Sequence, residues 1–169
     1  MASSNPPKAA ILFVCLGNIC RSPLAHGIAE ETVRRRAVSD RVRIDSCGTS
    51  AYHVGESPDA RSIATARSHG IVISQQTCRQ LCSHDFYEFT HIVAMDRDNL
   101  SDIKRRCPTN SSRRIANLHL FSEFIPKHSY TTADVPDPYY GGDSGFENVF
   151  TMLSDGMDPL IDYVASEAN

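Results

Sequence analysis

The sequence lacks the features of a membrane-spanning, secreted or nucleic-acid-binding protein. No apolar run approaches the roughly 20 residues that a membrane-spanning helix needs. Residues 1–8 contain no apolar stretch typical of a signal peptide. A formal net charge of −3 gives no electrostatic reason to expect a nucleic-acid partner. We therefore expect a cytoplasmic protein that binds neither membranes nor nucleic acid.

The six cysteines also lack the spacing of a structural zinc site. Cys15 with Cys20, and Cys78 with Cys82, are neither tight pairs nor accompanied by histidines. In a cytoplasmic protein, free thiols are the default. The sequence thus predicts no metal, no other cofactor and no disulfide framework.

The length and composition favour one small domain. A chain of 169 residues that is 41% hydrophobic can bury an adequate core. Residues 1–8 include two serines and two prolines, which predicts a disordered tail before a domain at residues 9–169. No repeat or low-complexity tract suggests a second unit, and we expect a monomer.

The most informative segment is a strand, a short loop and a helix start near the beginning of the chain. The apolar residues 9–14 predict a buried strand, and residues 15–23 read Cys-Leu-Gly-Asn-Ile-Cys-Arg-Ser-Pro. Backbone N–H groups and a helix dipole at such a turn form an anion site that also favours a thiolate. Arg21 adds a guanidinium fork that matches phosphate. Cys15 is therefore the predicted nucleophile for phosphoryl transfer, and Arg21 the predicted phosphate ligand.

The residues between and beside this pair suit a phosphate-binding loop. Gly17 lets backbone approach a ligand, and Asn18 tolerates the left-handed conformation that a tight anion loop needs. Ser22 can donate a hydrogen bond to the thiolate, and it is also a plausible N-cap with Pro23 at the first helical position. The predicted loop residues are Leu16, Gly17, Asn18, Ile19, Cys20 and Ser22.

Strand and helix patterns alternate along the rest of the chain. Further strands are predicted at residues 42–45, 91–95 and 115–118, and helices at residues 57–69, 97–107 and from 144 onward. This alternation, with apolar strands, predicts a parallel sheet covered by helices on both faces. Ligands of such sheets bind at the carboxyl ends of the strands, where the Cys15 loop lies.

The last helix carries two further signals. Ser144 and Glu147 have the spacing of a capping box. Gly156 and Pro159 predict a break, because proline inside a helix costs about 3 kcal/mol.

A general acid is predicted in the segment Val-Pro-Asp-Pro-Tyr-Tyr at residues 135–140. A phosphate ester needs a proton on its leaving group, and the flanking prolines and aromatic rings could position Asp137 for this task. Asp134, Asp143 and Asp96 are weaker candidates, and Asp96 fits better as a helix N-cap.

The motifs VCLGNICRSP at residues 14–23 and DPYY at residues 137–140 resemble the low-molecular-weight protein tyrosine phosphatase family. The similarity runs nearly end to end. It implies a flavodoxin-like, three-layer α/β fold with a four-stranded parallel sheet. It also implies hydrolysis of phosphotyrosine and aryl phosphates through a phosphocysteine, with tyrosine-phosphorylated proteins as partners and inorganic phosphate or other oxyanions as inhibitors.

The resemblance implies specific roles for residues of this chain. Cys15, Arg21 and Asp137 would be nucleophile, phosphate ligand and general acid. Asn18, Ser22 and Ser46 would form a network that supports the loop. The walls around the substrate ring would be Tyr52, Tyr139 and Tyr140. Gln76 stands where the family usually places a histidine of the supporting network, and it can donate and accept hydrogen bonds without a charge.

Three other readings stay open. An arsenate reductase uses the same loop with two more cysteines, for which Cys78 and Cys82 could be offered. Protein-arginine phosphatases resemble this family but tend to carry a threonine where Ile19 stands, and Ile19 offers an apolar wall suited to a phenyl ring. A non-catalytic phosphotyrosine-binding module is the third.

The closeness of Cys15 and Cys20 in the chain predicts reversible, disulfide-forming oxidation by peroxide.

Overall fold

Four parallel strands form the centre of the computed structural model, which describes residues 8–127, 130 and 134–168. The strands are β1 (Ala9–Cys15), β2 (Val42–Gly48), β3 (His91–Ala94) and β4 (Asn117–Leu120). They lie in the order β2-β1-β3-β4, and each neighbouring pair is parallel. β1 is central and buried along its whole length, as its unbroken apolar sequence predicts.

Helices cover both faces of the sheet. They are α1 (Arg21–Arg35), α2 (Ala60–Ser68), α3 (Asp85–Glu88), α4 (Arg97–Arg106) and α5 (Asp143–Glu167), with a 3₁₀ turn at Phe121–Phe124. Ile11 and Phe13 of β1 pack toward α1 and α5, whereas Leu12 and Val14 pack toward α3 and α4. This alternation follows from the two-residue period of a strand. The predicted three-layer α/β fold is confirmed.

The carboxyl half of β2 was not expected from the sequence. Ser-Cys-Gly at residues 46–48 has the composition of a loop, yet these residues pair with residues 13–15 of β1. β4 also lies two residues further along the chain than its predicted segment at 115–118. Tertiary pairing overrides weak local preference in both places.

The predicted break in the last helix is wrong, because α5 continues through Pro159. Pro159 is exposed, and so is Asp155, whose carbonyl loses its partner N–H to the proline ring. Gly156 serves packing: a Cβ there would lie 2.7 Å from a ring carbon of Phe121. The predicted capping box is also wrong, since Gly142 is the N-cap and Glu147 instead binds His69, 2.9 Å between Oε2 and Nε2.

Other helix boundaries follow the sequence more closely. Asp96 caps α4 as expected, and Gly70 has the positive φ (79°) of a residue that ends a helix. α2 begins later than predicted, with Asp59 as its N-cap.

The predicted tail at residues 1–8 lies outside the described residues except for Lys8. None of the helices formed by the described residues has the length and apolar character of a membrane span.

Candidate active site

The predicted phosphate-binding loop connects β1 to α1 at the carboxyl edge of the sheet. The end of β2 holds it from below, because the Thr49 N–H donates to the Cys15 carbonyl at 2.9 Å and the Ser50 N–H to the Leu16 carbonyl at 2.9 Å. Gly48 permits this approach: a Cβ at Gly48 would lie 2.7 Å from the Leu16 carbonyl oxygen. Gly48 was missed as a site residue, although its place beside the strand end was visible in the sequence.

Asn18 organises the loop from inside. Its φ of 58° is left-handed, as the sequence suggested, and its side chain is buried. The amide nitrogen donates to Ser22 Oγ at 2.9 Å and to Ser46 Oγ at 3.0 Å, while the amide oxygen accepts from the Arg79 N–H at 3.0 Å. The structure therefore brings Asn18, Ser22 and Ser46 together.

Ser22 connects this network to Cys15, the predicted nucleophile. Its Oγ lies 3.0 Å from Cys15 Sγ and 3.3 Å from the Cys47 carbonyl oxygen. Because Ser22 accepts from Asn18, its single hydroxyl proton can be directed either to the Cys47 carbonyl or to a Cys15 thiolate. Ser22 is not the predicted N-cap: α1 begins at Arg21, with Cys20 at the cap position, and the Ser22 hydroxyl is turned toward Cys15 instead.

Arg21 is held by groups from distant parts of the chain. It is 3% exposed, and its Nη1 donates to Asp96 Oδ2 at 2.5 Å and to the Val135 carbonyl at 3.0 Å. Burial acts to lower the pKa of Arg21, but the charges of Cys15 and Asp96 outweigh it and raise that pKa. Asp96 thus caps α4 and orients Arg21 at once. The sequence reasoning recognised only the first of these roles.

Asp137 lies on what we call the acid loop, residues 134–140. Its Oδ2 is 3.6 Å from Arg21 Nη2, and its Oδ1 accepts from the Tyr139 N–H at 3.1 Å. The Val135 N–H donates to the Met95 carbonyl at 2.9 Å, which fixes the loop at the end of β3. Among the weaker acid candidates, Asp134 binds the Arg97 N–H at 3.1 Å. Of Asp143 only the backbone, at the start of α5, is described.

A cavity of about 220 Å³ opens above the loop. Cys15, Arg21 and Asp137 reach it, and its other lining residues are Leu16, Gly17, Ile19, Cys20, Tyr52, His53, Tyr139 and Tyr140. Tyr52 is 80% exposed and Tyr140 94%, against 39% for Tyr139, so the first two stand at the rim. His53 was missed by the sequence analysis. Its Nδ1 lies 2.7 Å from Glu56 Oε2.

Gln76 lies beside the loop-supporting network. Its Nε2 donates to the Pro23 carbonyl at 3.2 Å, in the first turn of α1. Besides Asn18, Ser46 is contacted by His26 of α1, with 3.2 Å between Nδ1 and Oγ. His26 was not identified from the sequence, where it carried no signal beyond its position four residues after Ser22.

All six cysteines are free thiols. Cys78 is buried beneath the loop and donates to the Asn18 carbonyl at 2.8 Å, while Cys82 is exposed. Burial raises the pKa of Cys20 to about 12 and that of Cys78 to about 11, so both are protonated at neutral pH. Across the part of the chain that the structure describes, no group of side chains has the composition of a metal site.

Known protein sequences are similar to this chain over most of its length. A model of the family described as low molecular weight phosphotyrosine protein phosphatase matches residues 10–169. The mouse (Mus musculus) protein of that name is 42% identical over 141 residues, which covers 83% of this chain and 86% of the mouse protein. The Schizosaccharomyces pombe protein of the same name is 40% identical, covering 92% and 96%.

Solved structures show the same fold. A protein tyrosine phosphatase from Entamoeba histolytica, with Hepes in its active site, superposes with a TM-score of 0.86 at 34% identity, covering 95% of this chain and 99% of that one. A Drosophila arginine phosphatase superposes with a TM-score of 0.82 at 28% identity, covering 90% and 96%.

Proposed function

The chain belongs to the low molecular weight phosphotyrosine protein phosphatase family, and we propose that it hydrolyses protein phosphotyrosine through a phosphocysteine on Cys15. Its class, protein-tyrosine phosphatase, is that of its relatives. The observation that carries the mechanism is the meeting of Cys15, Arg21 and Asp137 at one cavity on the carboxyl edge of the sheet. No metal ion or organic cofactor enters the proposed steps.

In the first step, the Cys15 thiolate attacks phosphorus and the bond to the tyrosine oxygen breaks. Ser22, whose Oγ lies 3.0 Å from Cys15 Sγ, stabilises the thiolate by donating a hydrogen bond to it. Arg21 and the loop N–H groups hold the three equatorial oxygens, where charge accumulates in the transition state. Asp137 gives its proton to the departing phenolate, so tyrosine leaves neutral.

In the second step, water attacks the phosphocysteine. Asp137, now a carboxylate, takes the proton of that water, the S–P bond breaks, and inorganic phosphate leaves. The Cys15 thiolate and the protonated Asp137 are thereby restored. Since phosphate and other oxyanions fit the same loop, we propose that they act as competitive inhibitors.

We infer that the cavity wall selects the substrate. Ile19 is 9% exposed and lines the cavity below the rim tyrosines, so a flat phenyl ring can pack on it. The phosphoserine side chain is shorter and has no ring, so it would reach Cys15 less readily and make none of these contacts. Phosphoarginine is the second candidate substrate, favoured only by the likeness to the Drosophila arginine phosphatase.

The test compares hydrolysis of phosphotyrosine, phosphoserine and phosphoarginine peptides by the same preparation. We expect kcat/KM for phosphotyrosine to exceed the other two by orders of magnitude. Ile19→Thr should raise relative activity on phosphoarginine. Comparable values for the three peptides would contradict the proposed selectivity. No turnover of any of them would favour a binding module, and thiol-dependent reduction of arsenate would favour the arsenate reductase reading.

We propose that peroxide inactivates the enzyme reversibly at Cys15. Oxidation of the thiolate to a sulfenic acid consumes one peroxide. The Cys20 thiol then attacks the sulfenic sulfur as its proton passes to the departing hydroxyl group, which forms a disulfide and releases water. Dithiothreitol should restore activity, and Cys20→Ser should make the loss harder to reverse. If mass spectrometry after mild peroxide finds no crosslink between Cys15 and Cys20, Cys20 is a packing residue only.

A further inference from the structure

The start of α2 carries an ion pair that lies between the two loops of the site. Arg61 holds Asp59 in two places, with Nε 3.0 Å from Oδ1 and Nη2 2.9 Å from Oδ2. The Asp59 carboxylate is 13% exposed, and its hydrogen bonds to Arg61 lower its pKa. Such a two-point contact fixes the plane of the guanidinium, which a single contact would leave free to rotate.

One end of this pair is attached to the phosphate-binding loop. The Asp59 N–H donates to the Ile19 carbonyl at 2.8 Å. Ser62, one turn along α2, donates a hydrogen bond from its hydroxyl group to the Cys20 carbonyl at 3.3 Å. Asp59 Oδ1 also accepts from the Arg61 N–H at 2.8 Å and so caps the helix. The beginning of α2 is therefore tied to the two residues that precede Arg21.

The other end is attached to the acid loop. Arg61 Nη1 donates to the Tyr139 carbonyl at 3.0 Å. The central carbon of the Arg61 guanidinium, Cζ, lies 5.3 Å from the centre of the Tyr139 ring and 4.7 Å from the centre of the Phe146 ring. Both distances are within the range of cation–π contacts. The Tyr139 N–H donates in turn to Asp137 Oδ1 at 3.1 Å. A continuous series of contacts thus runs from Ile19 through Asp59, Arg61 and Tyr139 to Asp137.

We propose that Arg61, oriented by Asp59, is a positioning residue that sets where Asp137 stands relative to the phosphate-binding loop. The inference rests on the proposed role of Asp137 as the general acid. Arg61 acts through Tyr139 and touches no reacting atom. Val135 and Asp134 anchor the first part of the acid loop, and Arg61 anchors the part that follows Asp137. Without the second anchor, the carboxyl group, which is 42% exposed, is free to move away from the leaving oxygen.

The experiment compares Arg61→Gln with Arg67→Gln, which changes an exposed arginine of the same helix. Each is assayed on phenyl phosphate, whose leaving group needs a proton, and on 2,4-dinitrophenyl phosphate, whose leaving group departs without one. The quantity compared is kcat/KM, because it reports transfer to Cys15 and excludes the later hydrolysis of the phosphocysteine. Inhibition by inorganic phosphate reports the state of the phosphate-binding loop.

We expect Arg61→Gln to lower kcat/KM on phenyl phosphate about 10- to 100-fold, the cost of misplacing a catalytic group by roughly 1 Å. On the dinitrophenyl ester the loss should stay below about threefold, since no proton is required there. The inhibition constant of phosphate should not change. Arg61→Lys should fall between Gln and wild type, because lysine keeps the charge over the rings and loses the fork. Arg67→Gln should match wild type on both esters.

Equal losses on both esters, together with weaker inhibition by phosphate, would overturn the proposal and show that Arg61 supports the phosphate-binding loop or the fold. Asp137→Asn, assayed in parallel, separates the two hypotheses. If it shows the dependence on leaving group and Arg61→Gln does not, only the positioning role fails. If it shows none, the acid lies elsewhere and both fail.

Asp59→Asn serves if Arg61→Gln does not fold. Asparagine keeps an oxygen to cap α2 while removing the negative charge that orients Arg61. We expect Asp59→Asn to lose more kcat/KM on phenyl phosphate than on the dinitrophenyl ester, with smaller losses than Arg61→Gln. Equal losses on the two esters would count against the proposal.

Discussion

The phosphate-binding loop and the acid loop meet at one cavity but are built in opposite ways. In the first, Asn18 and Ser22 are buried, and they are held by a bond to each other, by the end of β2 and, at Asn18, by the backbone N–H of Arg79. In the second, Asp137 is partly exposed, and Arg21 and Arg61, far away in the chain, supply its surroundings. A rigid anion cradle needs fixed dipoles, whereas a proton donor needs a correct distance to a departing atom.

This contrast implies that damage to the two loops should have different kinetic signatures. Changes in the phosphate-binding loop should reduce binding and turnover for every substrate. Changes in the acid loop should depend on the leaving group, because only poor leaving groups need the proton. The following predictions test that difference, beginning with the largest effect.

Cys15→Ser should produce the largest loss, because serine is far less nucleophilic than a thiolate. We expect turnover of phosphotyrosine to fall at least about 10⁴-fold, as when other enzymes lose their nucleophile. Phosphate should still bind, since the loop N–H groups and Arg21 remain, and calorimetry can measure this. The matched control is Cys82→Ser, which changes an exposed thiol and should keep full activity. More than a few per cent of activity in the Cys15 variant would rule out this nucleophile.

Asp137→Asn should follow, with kcat/KM on phenyl phosphate lowered about 10²–10⁴-fold, the usual contribution of a general acid. On 2,4-dinitrophenyl phosphate the loss should be much smaller. Asp134→Asn is the comparison variant: it weakens the anchor at Arg97 and should cost less on phenyl phosphate. Should the Asp134 variant prove the more damaged of the two, the roles of these carboxylates would have to be exchanged.

Asn18→Ala and Asn18→Gly should separate backbone conformation from hydrogen bonding in the phosphate-binding loop. Both lose the contacts to Ser22 and Ser46, but only alanine meets the steric penalty of a left-handed φ. We expect the alanine variant to be less stable than the glycine variant by about 1–2 kcal/mol in urea unfolding. Both should lose activity equally on good and poor leaving groups. Equal stability of the two would show that φ at this position is not strained.

The smallest effect is expected at the opposite edge of the sheet, where the first residue of β3 is titratable. His91 is 1% exposed, with Nε2 2.6 Å from Glu167 Oε2 and Nδ1 2.8 Å from Thr90 Oγ1. Its ring also lies against those of His119 and Tyr163. Burial lowers the pKa of His91, and the contact with His91 lowers the pKa of Glu167. Both groups therefore bind protons more readily in the unfolded chain.

Since the unfolded chain takes up more protons as pH falls, stability should decrease from neutral pH through about 6.5 and further as the glutamate range is approached. We expect the thermal midpoint of unfolding to be lower at pH 5.5 than at pH 7.5. His91→Gln should flatten this dependence, and its phosphate inhibition should match that of wild type. An unchanged slope in the variant would assign the pH dependence to other groups.

Much of the fold was accessible from local pattern. The apolar run of β1, the start of a helix directly after the loop and the cap at Asp96 are short-range signals, and the structure agrees with them. The errors have a common origin. The ends of β2 and β4 depend on pairing with neighbouring strands, and Gly156, taken as a sign of a break, instead lets α5 pack closely against Phe121. A prediction made from a short stretch of sequence contains no information about these distant packing partners.

The sequence by itself determined where the proposed nucleophile and phosphate ligand stand. Cys15, Gly17, Asn18 and Arg21 fall within seven residues, so a strand end and a helix start are enough to assemble them. Only the tertiary structure decided what surrounds the acid. Arg21 contacts Asp96 and Val135 across separations of 75 and 114 residues, and Arg61 contacts Tyr139 across 78. No local pattern in the sequence predicts contacts between residues so far apart in the chain. They form because the carboxyl ends of parallel strands meet at one edge of the sheet.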